Sequence, residues 1–446
     1  MTKRLSLYNA AGEQADYERR CLETLETAIE RTPVYQSWKS YDPGPGQNVD
    51  ERYHSLPVLT KDDIRAHFPY GLVPNGLDLD AALARGEISF VRTSGTADEA
   101  LENLWNQQWW NASESASWKL NSVAMKVATG AHREAILASA LSVGPRSEKE
   151  PFDRENRTLG RFLFLNEYAT PGEWPKDHER RILSELAEYR PEIFEANPSL
   201  IARLARFALK TGASVYQPPL ITLTYEFPSA LQMRAIRRVF QSPVVSSYGS
   251  TEAGYVFMEC EHGRLHQNAE FCRVDLAPLN NGLETGIGRL FVTTFRNPWF
   301  PLVRFDIGDI GRIAPDPCPC GRTSGMTLSA VEGRLKSLCI ADNGRPVTHR
   351  EVDNALAAVD GLEQYRLVQE ELKRVSLAVV SENSHGKRVA QDAKDMLHGI
   401  FGHGMTIRTS VVSTLLPEKS GKFLLASRGF PLAPFIGIPK TKDFHG

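Results

Sequence analysis

A chain of 446 residues spans about three ~150-residue domain lengths, so at least two folded units are expected. Its 52 lysines and arginines nearly cancel 54 aspartates and glutamates, which leaves no broad basic face for nucleic acid. Hydrophobic residues at 41% and charged residues at 24% exclude a disordered chain; with no apolar run of ~18 residues and no apolar leader, neither a membrane partner nor secretion is expected, and the expected location is the cytoplasm.

Residues 14–32 have helical spacing, with Tyr17, Cys21, Leu22, Leu25 and Ile29 on one side and Pro33 as the stop. Residues 41–48 read as a loop. Thr60 reads as a helix N-cap with Asp63 at the third helical position. The short strand Ile88–Val91 runs into a hydroxyl-rich turn. An aromatic helix carrying Trp105, Trp109, Trp110 and Trp118 follows, with core packing as the default role of those rings and an acyl-pocket wall as the alternative. Strands are expected at 134–143, 160–165, 220–224 and 244–247, and helices at 176–189, 198–211 and 229–240. That alternation predicts a parallel α/β layer. From about residue 265, short strands at 289–295, 301–305 and 310–314 predict a smaller β element. The final segment predicts its own α+β pattern, with strands at 337–341, 365–369, 373–380 and 406–412 and helices at 350–358 and 386–400. The expected fold is therefore α/β, with a large N-terminal α/β domain over 1–333 that includes the β element, and a smaller, mobile α+β C-terminal domain over 334–446.

Five segments carry candidate chemistry. Thr93-Ser94-Gly95-Thr96 at a strand exit suits phosphate oxygens or is an ordinary turn. Tyr248-Gly249-Ser250-Thr251-Glu252 follows a predicted strand, where α/β sheets bind ligands. Its hydroxyls and carboxylate suit Mg²⁺ and a nucleotide phosphate, or else cap a helix. Asp309, after Gly308, suits both hydroxyls of a ribose or is a plain Asp turn. Glu332–Lys336 sits at the expected boundary. Lys422, after Ser420 and Gly421, is either a solvated lysine or a mobile cation delivered to a transition state.

In their order and spacing these pieces resemble the adenylate-forming (ANL) superfamily, and within it the phenylacetate–CoA ligase-like branch. Tyr225-Glu226, Gly333-Arg334 and Cys318-Pro319-Cys320-Gly321-Arg322 extend the likeness over nearly the whole chain. The resemblance implies that Thr93, Ser94, Gly95 and Thr96 hold the β- and γ-phosphates of ATP. It places Tyr225 and Glu226 near adenine and the acyl pocket, and Tyr248, with Gly249 and Ser250, against adenine. Thr251 touches the α-phosphate, Glu252 holds Mg²⁺, and Asp309 binds the ribose. Arg334 reaches ribose or phosphate, Lys336 occupies the hinge, and Lys422 bridges carboxylate and α-phosphate. The implied reaction is ATP-dependent activation of a small, aromatic carboxylic acid as acyl-AMP, then thioester formation with coenzyme A. The alternatives are a non-CoA acceptor (an amine or a separate carrier protein), a diazotase acting through activated nitrite, and a non-catalytic nucleotide-binding homologue. A homodimer is an expected assembly. One departure stands out: where the family's turn continues with Gly, Pro and often Lys, this chain reads Ala97-Asp98-Glu99-Ala100, which sets two carboxylates close to a triphosphate.

Cys260, His262, His266, Cys318 and Cys320 offer soft ligands in two clusters. Cys260, His266, Cys318 and Cys320 are the preferred set for a structural Zn²⁺, with His262 as the substitute and packed reduced thiols as the alternative.

Overall fold

The structure, a computed structural model, describes residues 10–93, 101–141, 153–279, 286–381, 385–418, 421–432 and 434–436. Ser94, Gly95 and Thr96 of the expected phosphate turn, the departure at 97–100, and Lys419 and Ser420 lie outside the described residues.

Local signals set the first elements. Helix Ala10–Arg31 buries Cys21, Leu25, Ala28 and Ile29 at helical spacing, and Pro33 opens a following 3₁₀ turn. Thr60 and Asp63 form a reciprocal cap: Asp63 N donates to Thr60 Oγ1 at 3.2 Å and Thr60 N to Asp63 Oδ2 at 2.8 Å. Just before that cap, Leu59 bridges in parallel to Phe305, which ties the start of helix Lys61–His67 to the distant strand Phe305–Ile313.

Among the described residues the main body is one twelve-stranded sheet. From one edge its strands run Cys272–Pro278, Ile287–Thr294, Phe305–Ile313, Thr327–Arg334, Leu265–Gln267, Gly254–Glu259, Val244–Ser250, Leu220–Leu223, Ile193–Ala196, Glu134–Leu137, Phe162–Phe164 and Thr158–Leu159. Neighbours from Val244–Ser250 to Phe162–Phe164 pair in parallel. Those on the other side of Val244–Ser250 pair antiparallel. The smaller β element expected from the sequence therefore continues the parallel sheet. The reason lies in strand Val244–Ser250. Its first half pairs with Leu220–Leu223 (Ile221 with Val244, Leu223 with Ser246), and its second half turns back against Gly254–Glu259.

Three further readings change. Ser250 and Thr251 do not cap a helix; they enter a tight hairpin in which a Cβ on Gly249 would stand 2.1 Å from Gly254 O. Residues 301–305 and 310–314 are not two strands; Phe305–Ile313 runs through Gly308 at φ +86°. Trp105 ends a strand, Glu102–Trp105, and the helix begins after it at Gln107.

Helices His178–Tyr189, Pro198–Thr211 and Ala230–Val239 cover one face of the parallel half with Ile182, Leu186, Leu200, Ile201, Leu204 and Ile236. Trp118 and Ala124 cover the other face against Ile193, Leu220, Val245 and Met258. A four-stranded C-terminal sheet, in the order Thr406–Val411, Arg374–Ser381, Leu362–Glu371, Ala426–Arg428, carries helices His349–Ala357 and Gly386–Phe401. Leu231 of the body joins this second core, and Ala230 N donates to Asp353 Oδ2 at 2.7 Å. His349, buried, lies 3.1 Å from Tyr365 Oη, which fits a packing role. Among the described residues no helix is long and apolar enough to cross a membrane.

Candidate active site and metal cluster

Strand Phe305–Ile313 registers Asp309 opposite Arg334 of Thr327–Arg334. Arg334 Nε stands 3.2 Å from Asp309 Oδ1, and Tyr248 Oη donates to Asp309 Oδ2 at 2.7 Å. A carboxylate has about four lone-pair positions, so Asp309 keeps capacity for two more donors. Beyond the end of Val244–Ser250, the buried carboxylate of Glu252 lies 3.7 Å from Lys61 Nζ. Lys61 reads in sequence only as the first residue of a capped helix; the Leu59–Phe305 bridge brings it here. Thr251, Gly249 and Ser250 form the adjoining hairpin tip. Lys336 lies in a 3₁₀ turn, Leu335–Ser337, directly after Arg334.

Glu226 follows strand Leu220–Leu223 and Tyr225, which holds φ 75°. Its Oε2 accepts from Ser199 Oγ at 2.6 Å and its Oε1 from Phe423 N at 2.7 Å. Burial pushes the Glu226 carboxyl up, and its Asn197, Ser199 and Phe423 hydrogen bonds oppose the rise. The backbone of residue 423 is thus latched to the body, with Lys422 beside it. Burial and then the Arg334 guanidinium hold the Lys422 ammonium below the ordinary lysine value, while Glu226, Glu252 and Asp309 act the other way. These interactions bring Tyr248, Glu252, Asp309, Arg334, Glu226 and Lys422, six positions expected from the sequence, into one cluster at the carboxyl ends of the parallel strands.

Two expected residues are engaged otherwise. Thr93 Oγ1 accepts from Leu101 N at 2.8 Å and Thr93 N donates to Leu101 O at 2.8 Å. Tyr225 donates its hydroxyl to Glu195.

Gly421, which directly precedes Lys422, has little room. Gly421 holds φ +77°, and a Cβ there would stand 2.3 Å from Ser139 Oγ. Gly421→Ala is expected to strain this backbone and lower the melting temperature, because an alanine held at positive φ against a neighbouring side chain is destabilising. A thermal melt beside the wild type checks it.

The second cluster is sulfur-rich. Cys260 follows strand Gly254–Glu259, His266 lies on Leu265–Gln267, and Cys318 and Cys320 lie in the connection between Phe305–Ile313 and Thr327–Arg334. One donor atom from each of the four lies within 4.8 Å of the others. Cys260 Sγ and Cys318 Sγ are 3.6 Å apart, and Cys320 Sγ is 3.2 Å from His266 Nε2. Two sulfurs each ~2.3 Å from a tetrahedral ion stand about 3.8 Å apart, so the donor set fits Zn²⁺. Thr327 Oγ1, 3.3 Å from His266 Nδ1, leaves Nε2 for the thiols. His262 is not part of the cluster; its backbone N donates to Cys260 Sγ at 3.4 Å.

No family model matches the chain, and no curated protein matches it in sequence. Solved structures do match in fold. 2-Hydroxyisobutyryl-CoA ligase in the postadenylation state, in complex with 2-HIB-AMP, is 18% identical and superposes with a TM-score of 0.67 over 92% of this chain and 88% of that chain. The same ligase in an open conformation, in complex with 2-HIB-AMP and CoA, gives 17% identity and a TM-score of 0.57 over 91% and 89%. The anthranilate CoA ligase AuaEII in complex with anthranoyl-AMP gives 14% identity and a TM-score of 0.52 over 76% and 66%. The chain therefore has the fold of the adenylate-forming ligases.

Proposed function

We propose that this protein activates a small aromatic carboxylic acid with ATP as the acyl-adenylate and passes the acyl group to coenzyme A. The observation that carries the reading is the convergence of Lys422, Glu226, Glu252, Asp309 and Arg334, from widely separated segments, on one site. The fold shared with CoA ligases supports it.

The chemistry follows from charge. A carboxylate approaching an α-phosphorus meets like charge, and the barrier falls where fixed cations face the developing negative oxygens. Lys422, half-buried and latched through Phe423, offers an ammonium to both the carboxylate and the α-phosphate. Asp309 accepts from the two ribose hydroxyls while Tyr248 and Arg334 keep its orientation. Tyr248, with Gly249 and Ser250, flanks adenine, and Thr251 donates to the α-phosphate. Mg²⁺ supplies charge neutralisation on phosphate oxygens when bound, and the buried carboxylate of Glu252 is the residue to hold it. Ser94, Gly95 and Thr96 take the β- and γ-phosphates in this reading, and Thr93, the residue before them, is hydrogen-bonded to Leu101. In this reading residues 1–333 form the body and residues 334–446 a lid. Lys336 lies at the turn between them, so that rotation withdraws Lys422 and admits the thiol. Zn²⁺ held by Cys260, His266, Cys318 and Cys320 is structural, since four protein ligands leave no open position.

Acid-dependent ATP–pyrophosphate exchange tests the reading, first without and then with coenzyme A. Exchange with an aryl acid, and AMP release that accelerates on adding coenzyme A, is the expected result. Exchange without any thiol effect would move the acceptor to an amine or a carrier protein.

A further inference from the structure

Next to the adenylation cluster lies a group of acidic side chains that the steps above do not use. Glu195 sits on strand Ile193–Ala196, with Ile136 and Thr222 as its register neighbours. In-register side chains of adjacent strands share a face, so Thr222 projects beside Glu195. Thr222 is fully buried, and its hydroxyl has no hydrogen-bond partner among the described residues. A buried hydroxyl left unpaired costs free energy and points to a missing partner.

Helix Gln107–Trp118 brings Glu114 to the same region, where its carboxylate accepts from Tyr255 Oη at 2.8 Å. Tyr255 packs on Trp110 (ring centroids 5.1 Å apart) and Trp110 on Trp105 (4.4 Å). Glu134 has Arg161 at 3.0 Å and His132 at 3.3 Å to share its charge. Among the described residues, Glu114 and Glu195 have no cation within ion-pair distance. Burial, and then Glu134, push the Glu195 carboxyl up to about 8, against the Tyr225 hydrogen bond. Exposure is graded: Tyr225, Tyr255 and Glu114 are half-buried, while Glu195 and Thr222 are closed off from solvent. Tyr225 adjoins Glu226 in the chain, and Tyr255 registers with Gly249, so this group of side chains adjoins the cluster that holds Glu226 and Glu252.

We infer that this group of side chains selects a carboxylic acid bearing a primary ammonium group, with Glu195 and Glu114 as the specificity-determining carboxylates and Thr222 as the hydroxyl beside them. This rests on the adenylation reading above and names the substrate class for that same site. An ammonium offers three donors and no acceptor, which matches two carboxylates and one hydroxyl oxygen. The acid's own carboxylate then lies toward Tyr225, Glu226 and Lys422.

The test is acid-dependent ATP–pyrophosphate exchange with matched acids: 4-(aminomethyl)benzoate against 4-methylbenzoate, and 4-aminobutyrate against butyrate. The aminated member of at least one pair is expected to show a kcat/KM about tenfold higher or more, carried by KM, as expected for hydrogen bonds to charged groups. Glu195→Gln and Glu114→Gln should each raise KM for the aminated acid about tenfold and leave that for its neutral twin in place. Thermal melts accompany both variants, and Glu114→Gln, at the half-buried mouth, carries the test where the interior Glu195 variant does not fold. Neutral acids used as well as their aminated twins, or variants that keep the wild-type ratio, overturn the inference and leave adenylation standing. No exchange with any acid overturns both.

Discussion

Lys422→Ala is expected to lower the rate of acyl-adenylate formation ~10²–10³-fold, the usual cost of removing one preorganised donor from a site of developing charge. Burial and then Arg334 disfavour the charged form of this lysine, while Glu226, Glu252 and Asp309 favour it. Removing the ammonium leaves three carboxylates facing a site that must receive two more negative groups. In the proposed two-step cycle Lys422 acts in the first half-reaction alone. Thioester formation from chemically prepared acyl-AMP should therefore proceed in the variant at close to the wild-type rate. Rapid-quench measurement of both half-reactions checks the asymmetry. Equal loss in both would mean that the variant has damaged the site generally, and normal adenylation would remove Lys422 from the chemistry.

Cys318→Ala is expected to cost about 4 kcal/mol of stability or more, because loss of a bound metal belongs to the short list of changes with effects that large. The four donors come from the end of Gly254–Glu259, from Leu265–Gln267 and from the connection between Phe305–Ile313 and Thr327–Arg334. A zinc there would staple the antiparallel half of the sheet at the strands that carry Asp309 and Arg334. Cys339→Ala, at a fully buried cysteine outside the cluster, provides the comparison and should show a smaller penalty from lost packing alone. Denaturant unfolding together with metal analysis decides the matter. The account expects about one zinc per chain in the wild type and a lowered midpoint in the Cys318 variant; metal-free protein with an unchanged midpoint would refute the zinc.

The sequence made some of this fold plain and hid the rest for identifiable reasons. Helix Pro198–Thr211 falls on its expected bounds because Asn197 caps it, Pro198 opens it and Gly212 closes it in the left-handed conformation. The Thr60–Asp63 cap is equally local. Strand pairing is not local. The apolar runs at 244 and 289 read alike, and neither says that a seven-residue strand, Val244–Ser250, pairs in parallel with one neighbour and antiparallel with the other. Among site residues, Glu252, Asp309 and Lys422 stand in recognisable turns, whereas Lys61 carries no signal beyond helix capping, since its approach to Glu252 depends on a bridge to Phe305. Glu195 did have a signal that went unread: a carboxylate inside a strand otherwise apolar and covered on both faces is costly unless it has work to do.

The central claim is that the acid attacks the innermost phosphorus of ATP within this cluster. It is tested most directly by turnover with a carboxylic acid labelled with ¹⁸O in its carboxylate. The account predicts one ¹⁸O atom in the AMP released and none in pyrophosphate. Label in pyrophosphate or in inorganic phosphate, or AMP free of label during acid-dependent turnover, would contradict it.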